Sequence, residues 1–161
     1  MNTAVWFRED LRVNDHAALS AAIDRKQPII AVFIITEAIW DDYHWGKNKR
    51  AFLYANLQTL QHQLHALKIP LKFLSCETHH QVPEALLQFC KQHTINAIYA
   101  NHELLLDEAS RDRLVQTRLV KHGITVNLET YQHTIIHPST IQTQQGTPYR
   151  QFTAFKRAWL Q

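Results

Sequence analysis

The chain has 161 residues, of which 45% are hydrophobic and 19% charged, so it fits one globular domain rather than a disordered chain. Two cysteines are too few for a disulfide framework, and the N-terminus lacks the pattern of a signal peptide, so a cytoplasmic protein is expected. No apolar run approaches the roughly 20 residues of a membrane span. The net charge of +3 permits an anionic partner without requiring one.

Two apolar runs and one amphipathic segment begin the chain. Residues Thr3–Arg8 predict a buried strand, and Ala17–Ile23 predicts a helix with Asn14 or Asp15 as its N-cap. The uninterrupted apolar run Ile29–Ile35 is typical of a parallel strand that is covered on both faces.

A long helix is predicted next, because leucines recur at spacings of three and four residues and so form one apolar stripe. These leucines are Leu53, Leu57, Leu60, Leu64 and Leu67. Pro70 ends the helix, and Leu71–Leu74 predicts a third strand.

The same alternation continues through the second half of the chain. A helix that begins near Val82 precedes a strand at Ala97–Ala100. A helix from about Glu108 ends at Gly123, which suits a C-cap, and Ile124–Leu128 predicts a fifth strand.

The remainder consists of a polar stretch, His133–Thr147, and a final predicted helix, Tyr149–Leu160. Strand and helix alternate four times before it, which is typical of a parallel sheet with right-handed crossovers. We therefore predict an α/β fold with a five-stranded parallel sheet. Ligands of such folds bind at the carboxyl ends of the strands.

The turn after the first strand contains no phosphate-binding loop. A dinucleotide-binding fold normally has the pattern G-x-G-x-x-G there, whereas Phe7–Asp15 contains no glycine. A stand-alone nucleotide-binding module is therefore disfavoured. His62 and His65 lie one turn apart on the long helix, where a solvated face explains them more simply than a metal, and no metal site is predicted.

Four charged residues follow the first strand, at Arg8, Glu9, Asp10 and Arg12. The simpler interpretation is a salt-bridged turn between strand and helix. The functional interpretation is that Arg8 and Arg12 hold a neighbouring domain or an anionic ligand, because guanidinium groups suit bidentate contacts.

Three motifs lie in order along the chain: Trp6-Phe7-Arg8-x-Asp10-Leu11-Arg12, Glu108-x-x-Arg111-Asp112 and Tyr149-x-x-Phe152-Thr153-x-Phe155-x-x-Ala158-Trp159. Together they resemble the signatures of the DNA photolyase/cryptochrome family, and bacterial photolyases most of all. The resemblance covers essentially the whole chain.

This resemblance implies a Rossmann-like three-layer sandwich over residues 1–161, the N-terminal domain of the family. It also implies that FAD is held by a helical domain expected after residue 161, so no catalytic residue is predicted in this chain. Family members of the repair branch split pyrimidine dimers in DNA by electron transfer from photoexcited, reduced FAD. A cryptochrome photoreceptor is the alternative within the family.

The family's N-terminal domain often carries a light-harvesting antenna, and the resemblance offers two places for it. Folate-type members have an Asn-Glu pair after the fourth strand, which Asp107 and Glu108 match except for the first residue. Deazaflavin-type members have an acid nearer the strand, which Glu103 matches, although Trp40 is expected to fill part of that interior pocket. We therefore favour 5,10-methenyltetrahydrofolate over 8-hydroxy-deazaflavin. Without any ligand, Asp107 would simply be an N-cap.

The resemblance also predicts the partners of this domain, namely its own flavin domain and, through that domain, damaged DNA. Residues expected at the interdomain contact, or in a purely structural role, are Arg8, Asp10, Arg12, Phe152, Phe155 and Trp159. A full-length protein of this kind is expected to be a monomer. The apolar face of the last helix could make the isolated domain self-associate.

Overall fold

The structure is a computed structural model that describes residues 1–131 and 139–161. Within these residues the strands are β1 (Asn2–Phe7), β2 (Ile29–Ile35), β3 (Leu71–Ser75), β4 (Ile95–His102) and β5 (Thr125–Tyr131). They form one parallel sheet in the order β3-β2-β1-β4-β5. The predicted five-stranded parallel sheet is confirmed.

The described helices are α1 (Ala17–Asp24), α2 (Glu37–Asp42), α3 (Lys47–Ala66), α4 (Val82–Gln92), α5 (Leu106–Val120) and α6 (Phe152–Trp159). All except the short α2 match helices predicted from the sequence. The leucine stripe is the buried side of α3, where Leu57, Leu60 and Leu64 are in the core. Leu67 is half exposed, because it lies at the C-cap.

Two hydrophobic clusters lie on opposite faces of the sheet and make the fold a three-layer sandwich. Successive side chains of a strand point to opposite faces. On β1, Val5 and Phe7 pack with α1 and α3, while Ala4 and Trp6 pack with α4 and α5. The predicted Rossmann-like architecture is therefore confirmed.

The crossovers change direction between β1 and β4. The chain passes from β1 outward to β2 and β3, then returns across the sheet to β4 and β5. At such a switch point the connections leave the carboxyl ends of adjacent strands on opposite sides, which opens a crevice. This topology brings the residues that follow β1 close to those that follow β4.

The predicted N-cap of α1 is wrong. The cap is His16, whose Nδ1 accepts a hydrogen bond from the Leu19 N–H at 3.1 Å. Asp15 has a φ of 48°, so it turns the chain instead of capping the helix.

The predicted N-cap of α5 is also wrong. The helix begins at Leu106 with Leu105 in the cap position, so Asp107 and Glu108 lie inside the first turn. At the other end the helix stops at Val120, and Gly123 follows in a turn with a φ of 72°. The first part of the predicted polar loop, residues 133–138, lies outside the described residues.

The last helix, α6, presents aromatic side chains to solvent. Phe152 is 75% exposed and Trp159 is 41% exposed. Phe155 is half-buried, and its ring centroid lies 6.5 Å from that of Phe152. An exposed cluster of this size favours association.

We expect the chain to self-associate reversibly through α6, because burying these rings removes apolar surface from water. Sedimentation velocity over a range of concentrations should show a rising mean sedimentation coefficient. The double substitution Phe152→Ser and Trp159→Ser should abolish the rise. A wild-type chain that stays monomeric at high concentration would contradict this expectation.

Candidate functional site

Four buried charged side chains form a closed ring at the carboxyl ends of β1 and β4. Arg8 follows β1, Glu103 follows β4, and Arg111 and Asp112 lie on α5. Arg8 Nη1 lies 2.8 Å from Asp112 Oδ2, and Arg8 Nε lies 3.6 Å from Glu103 Oε2. Arg111 Nη2 lies 2.5 Å from Glu103 Oε2 and 2.7 Å from Asp112 Oδ1. The four charges cancel, which matters because an unpaired buried charge is strongly destabilising.

Both guanidinium groups of this charge ring also lie against the indole of Trp6. The Cζ atom of Arg8 is 4.8 Å from the ring centroid and that of Arg111 is 4.7 Å from it. Burial lowers the pKa of Arg111, but the neighbouring Asp112 and Glu103 outweigh burial, so the pKa is raised. Arg111 therefore stays charged, and the aromatic face adds cation–π stabilisation.

A second buried network fixes the start of α1 beside the charge ring. Asp10 accepts hydrogen bonds from the Arg8 backbone N–H at 2.9 Å and from Asn101 Nδ2 at 2.7 Å. Its Oδ2 also lies 3.1 Å from His16 Nε2. Burial alone would raise the pKa of Asp10. His16 and the hydrogen bonds from Arg8 and Asn101 lower the pKa by more than burial raises it, so it lies well below its usual range. The carboxylate therefore holds β1, β4 and α1 together.

A cavity of about 90 Å³ lies beside the charge ring, and its lining includes Trp6, Arg8, Trp40, Glu103 and Glu108. Two buried polar atoms of these residues have no hydrogen-bond partner within the described part of the chain. One is Nη2 of Arg8, a donor, and the other is Oε2 of Glu108, an acceptor. Because buried polar atoms are normally paired, this cavity has the character of a site for a ligand with an acceptor and a donor.

An outer cleft of about 310 Å³ adjoins the cavity. Ile39, Tyr43, His79 and Arg111 line both spaces. Tyr43 donates a hydrogen bond from its hydroxyl to Asp107 Oδ2 at 2.6 Å, and this bond raises the pKa of Tyr43 to about 12. The phenol therefore stays protonated at neutral pH and keeps the bond.

His79 stands between the cavity and the cleft. Burial lowers its pKa and the positive charge of Arg111 lowers it further, against the opposing effect of Glu108, Asp107 and Glu103. The imidazole is therefore neutral at neutral pH and can offer one donor and one acceptor.

The residues that the sequence assigned to two alternative antenna pockets are neighbours. Glu108, Glu103 and Trp40 line the same cavity, whereas Asp107 lines the cleft. Arg12 lies apart from them, in a groove of about 450 Å³ that also contains Lys49.

Sequence analysis missed the contribution of Tyr43. For His79, its position just before the helix predicted near Val82 indicates only a turn or cap role. Tyr43 lies just after α2, and its partner Asp107 is 64 residues further along the chain. Only the topology of the sheet brings these segments together, so no local pattern reveals the contact. His79 does lie in a short 3₁₀ turn, as its position before a helix suggested.

The described residues form neither a membrane-spanning helix nor a metal cluster. None of the helices in residues 1–131 and 139–161 combines the length and apolar character needed to cross a bilayer. Among the side chains described, no three His, Cys, Asp or Glu residues are arranged to hold a metal ion.

Comparison with known proteins identifies the family. The family model for DNA photolyase matches residues 3–161. The chain belongs to the DNA photolyase family. The deoxyribodipyrimidine photo-lyase of Vibrio cholerae is 34% identical to it over 97% of the chain and 33% of the relative. The chain thus spans about a third of the length of the curated relatives it matches.

Two further relatives support the family assignment. Cryptochrome-2 of Arabidopsis thaliana is 31% identical over 98% of the chain and 24% of that protein. The crystal structure of a class III photolyase from Agrobacterium tumefaciens superposes with a TM-score of 0.80 and 26% identity, over 98% of this chain and 31% of that one. The photolyase fold therefore accounts for the whole of the described sheet.

We expect Asp10→Asn to destabilise this photolyase domain by about 1–3 kcal/mol. The amide NH₂ of the variant would face one of the N–H groups that now donate to the carboxylate, so that hydrogen bond would be lost. Asp10 has a lower pKa in the folded chain, so its contribution is fully present above pH ~4 and is lost as the pH falls toward the folded-state value. The stability difference between wild type and variant should therefore shrink in acid.

Urea unfolding at several pH values measures this difference. Asp24→Asn is the matched control, because it makes the same charge change at an exposed position on α1. A variant as stable as wild type at neutral pH, or a difference that grows in acid, would contradict the role given to Asp10.

Proposed function

We propose that this chain is the antenna-binding α/β domain of a light-driven DNA repair enzyme, a deoxyribodipyrimidine photo-lyase. The observation that carries the proposal is the pair of unpartnered polar atoms in a cavity at the carboxyl ends of the strands. The family assignment and the similarity to named photo-lyases support the same function. The reaction itself would use FAD in a separate helical domain.

The antenna favoured by this cavity is 5,10-methenyltetrahydrofolate. One edge of a pterin ring offers an N–H donor next to a carbonyl acceptor. The buried Oε2 of Glu108 matches the donor and Nη2 of Arg8 matches the acceptor. When bound, this group would absorb near-ultraviolet light and pass the excitation to the flavin.

Glu103, the acid assigned to a deazaflavin, is less suited to bind a ligand. Its Oε2 already contacts Arg111 at 2.5 Å and Arg8 at 3.6 Å, so a ligand would compete with the charge ring. The cavity of about 90 Å³ is also smaller than the ~150 Å³ that holds a single benzene ring in a protein core. We therefore favour the smaller pterin, whose edge could reach in from the cleft, over a three-ring chromophore.

The residues around the cavity would bind and orient this ligand rather than react with it. Trp40 is 5% exposed and stacks on Trp45 at 5.3 Å with an angle of 5° between the rings, so its ring is held in place in the wall of the cavity. The charge ring holds Arg8 from one side. Polar groups held in a partly buried place of this kind make stronger contacts than they do in water.

A cryptochrome photoreceptor is the second candidate, and the 31% identity to Cryptochrome-2 supports it. The two functions are distinguished by whether the protein repairs damaged DNA. The protein that carries this domain should restore cyclobutane-dimer DNA under near-ultraviolet or blue light and leave it unrepaired in the dark. Flavin photoreduction without loss of dimers would instead favour the photoreceptor.

We expect Glu108→Gln to weaken binding of 5,10-methenyltetrahydrofolate to this chain roughly ten- to hundredfold. The amide would point a donor at the N–H of the pterin, a loss of about 1–3 kcal/mol. Titration followed by near-ultraviolet absorbance measures the affinity.

Glu84→Gln is the matched control for this titration. Glu84 lies on α4 outside the lining of both spaces and pairs with Arg118 at the surface. Its variant should bind like wild type. Equal affinity of the Glu108→Gln variant and wild type would reject the role of Glu108.

A further inference from the structure

The short helix α2 forms part of the wall of the cavity and is anchored in the core by one side chain, that of Trp40. Of its six residues, only Trp40 is buried, and Glu37, Asp41 and Asp42 are exposed. Ile39 is half-buried and lines both the cavity and the cleft. Segments with few buried side chains are those that open most readily.

Three exposed side-chain bonds hold this wall in place. Tyr54 donates to Glu37 at 2.6 Å, and Arg50 pairs with Asp41 at 2.5 Å, so both bonds join α2 to α3. The third bond runs from Tyr43 to Asp107 at 2.6 Å and joins the end of α2 to α5 across the cleft. It is the only one of the three that spans the boundary between cavity and cleft.

The chain between α2 and α3 has the properties of a hinge. His44 has a φ of 54°, in the left-handed region that non-glycine residues rarely adopt. Gly46 caps α3 two residues later, and a Cβ added there would meet no atom within 4 Å. Thr36 is the single residue between β2 and α2, so moving α2 without disturbing α3 requires backbone rotation at Thr36 as well as at these residues.

We propose that α2 is a hinged lid over the cavity and that the bond between Tyr43 and Asp107 is its latch. Opening the lid removes Ile39, Trp40 and Tyr43 from the wall and joins the cavity to the cleft. The unpartnered atoms of Arg8 and Glu108 then face the larger space. The biological role of the lid rests on the proposed function, because the joined space is where a pterin would bind.

The latch makes a measurable prediction about backbone amides. The N–H groups of His44 and Trp45 bond to the carbonyls of Asp41 and Trp40, across the junction between α2 and the hinge, and lose these bonds when the lid opens. Tyr43→Phe removes the latch hydroxyl and keeps the ring. Hydrogen exchange at these amides, measured by NMR, should become about two- to tenfold faster.

Two variants at the partner residue keep the test independent of Tyr43. Asp107→Ala should accelerate exchange like Tyr43→Phe, whereas Asp107→Asn keeps an acceptor oxygen and should stay near wild type. Gln88→Ala is the matched control, because it removes an exposed bond of 2.8 Å to Glu84 on α4. Unchanged exchange at His44 and Trp45, or equal acceleration in α1, α3 and α4, would overturn the lid.

A second measurement separates the lid from the antenna. Stopped-flow mixing with 5,10-methenyltetrahydrofolate should show association faster in Tyr43→Phe than in wild type, by the same factor as exchange. Faster exchange with unchanged association would overturn the lid as the route of the ligand. If folate binds to neither protein, the proposed antenna fails, and the lid is judged on exchange alone.

Discussion

The ring of Arg8, Glu103, Arg111 and Asp112 is the constraint on which the rest of this domain depends. Two positive and two negative side chains are almost completely buried where β1 and β4 end, and each is paired with two of the others. Loss of one partner would leave a buried charge without compensation, which typically destabilises a protein by about 3–5 kcal/mol. The ring therefore fixes the position of α5 against the first strand.

The fixed position of α5 explains why polar atoms can remain unpartnered beside it. Arg8 uses Nη1 and Nε in the ring, and this leaves Nη2 directed at the cavity. Glu108 lies one turn before Asp112 on the same helix and is brought to the same cavity. A donor and an acceptor that the fold brings to one place provide part of the preorganisation that ligand recognition needs. Only Trp40 anchors α2 in the core, and mobility is expected there.

The sheet could be predicted from the sequence because its signals are local. The apolar run Ile29–Ile35 and the leucine stripe of α3 each specify one element by their own periodicity. The alternation of strand and helix then predicted a parallel sheet, whereas the order of its strands comes from the structure. The N-cap of α1 was predicted wrongly, because the buried His16, which contacts Asp10, takes the cap position. The N-cap of α5 was predicted wrongly, because the helix begins at Leu106, before Asp107.

The candidate site was only partly predictable, because its contacts join distant segments. The charges at Arg8 and Asp10 were noticed, but a local salt-bridged turn was the simpler interpretation. The partner of Arg8 in the ring, Asp112, lies 104 residues away. The lid depends in the same way on the contact between Tyr43 and α5. Patterns of three or four residues carry no information about such pairs.

A crystal structure of this chain with 5,10-methenyltetrahydrofolate tests the central claim most directly. We expect the pterin edge to lie within hydrogen-bond distance of Glu108 Oε2 and Arg8 Nη2, with the charge ring intact and α2 displaced. A pterin bound elsewhere, or one bound at Glu103 with the ring broken, would contradict the claim that these two unpartnered atoms define the site.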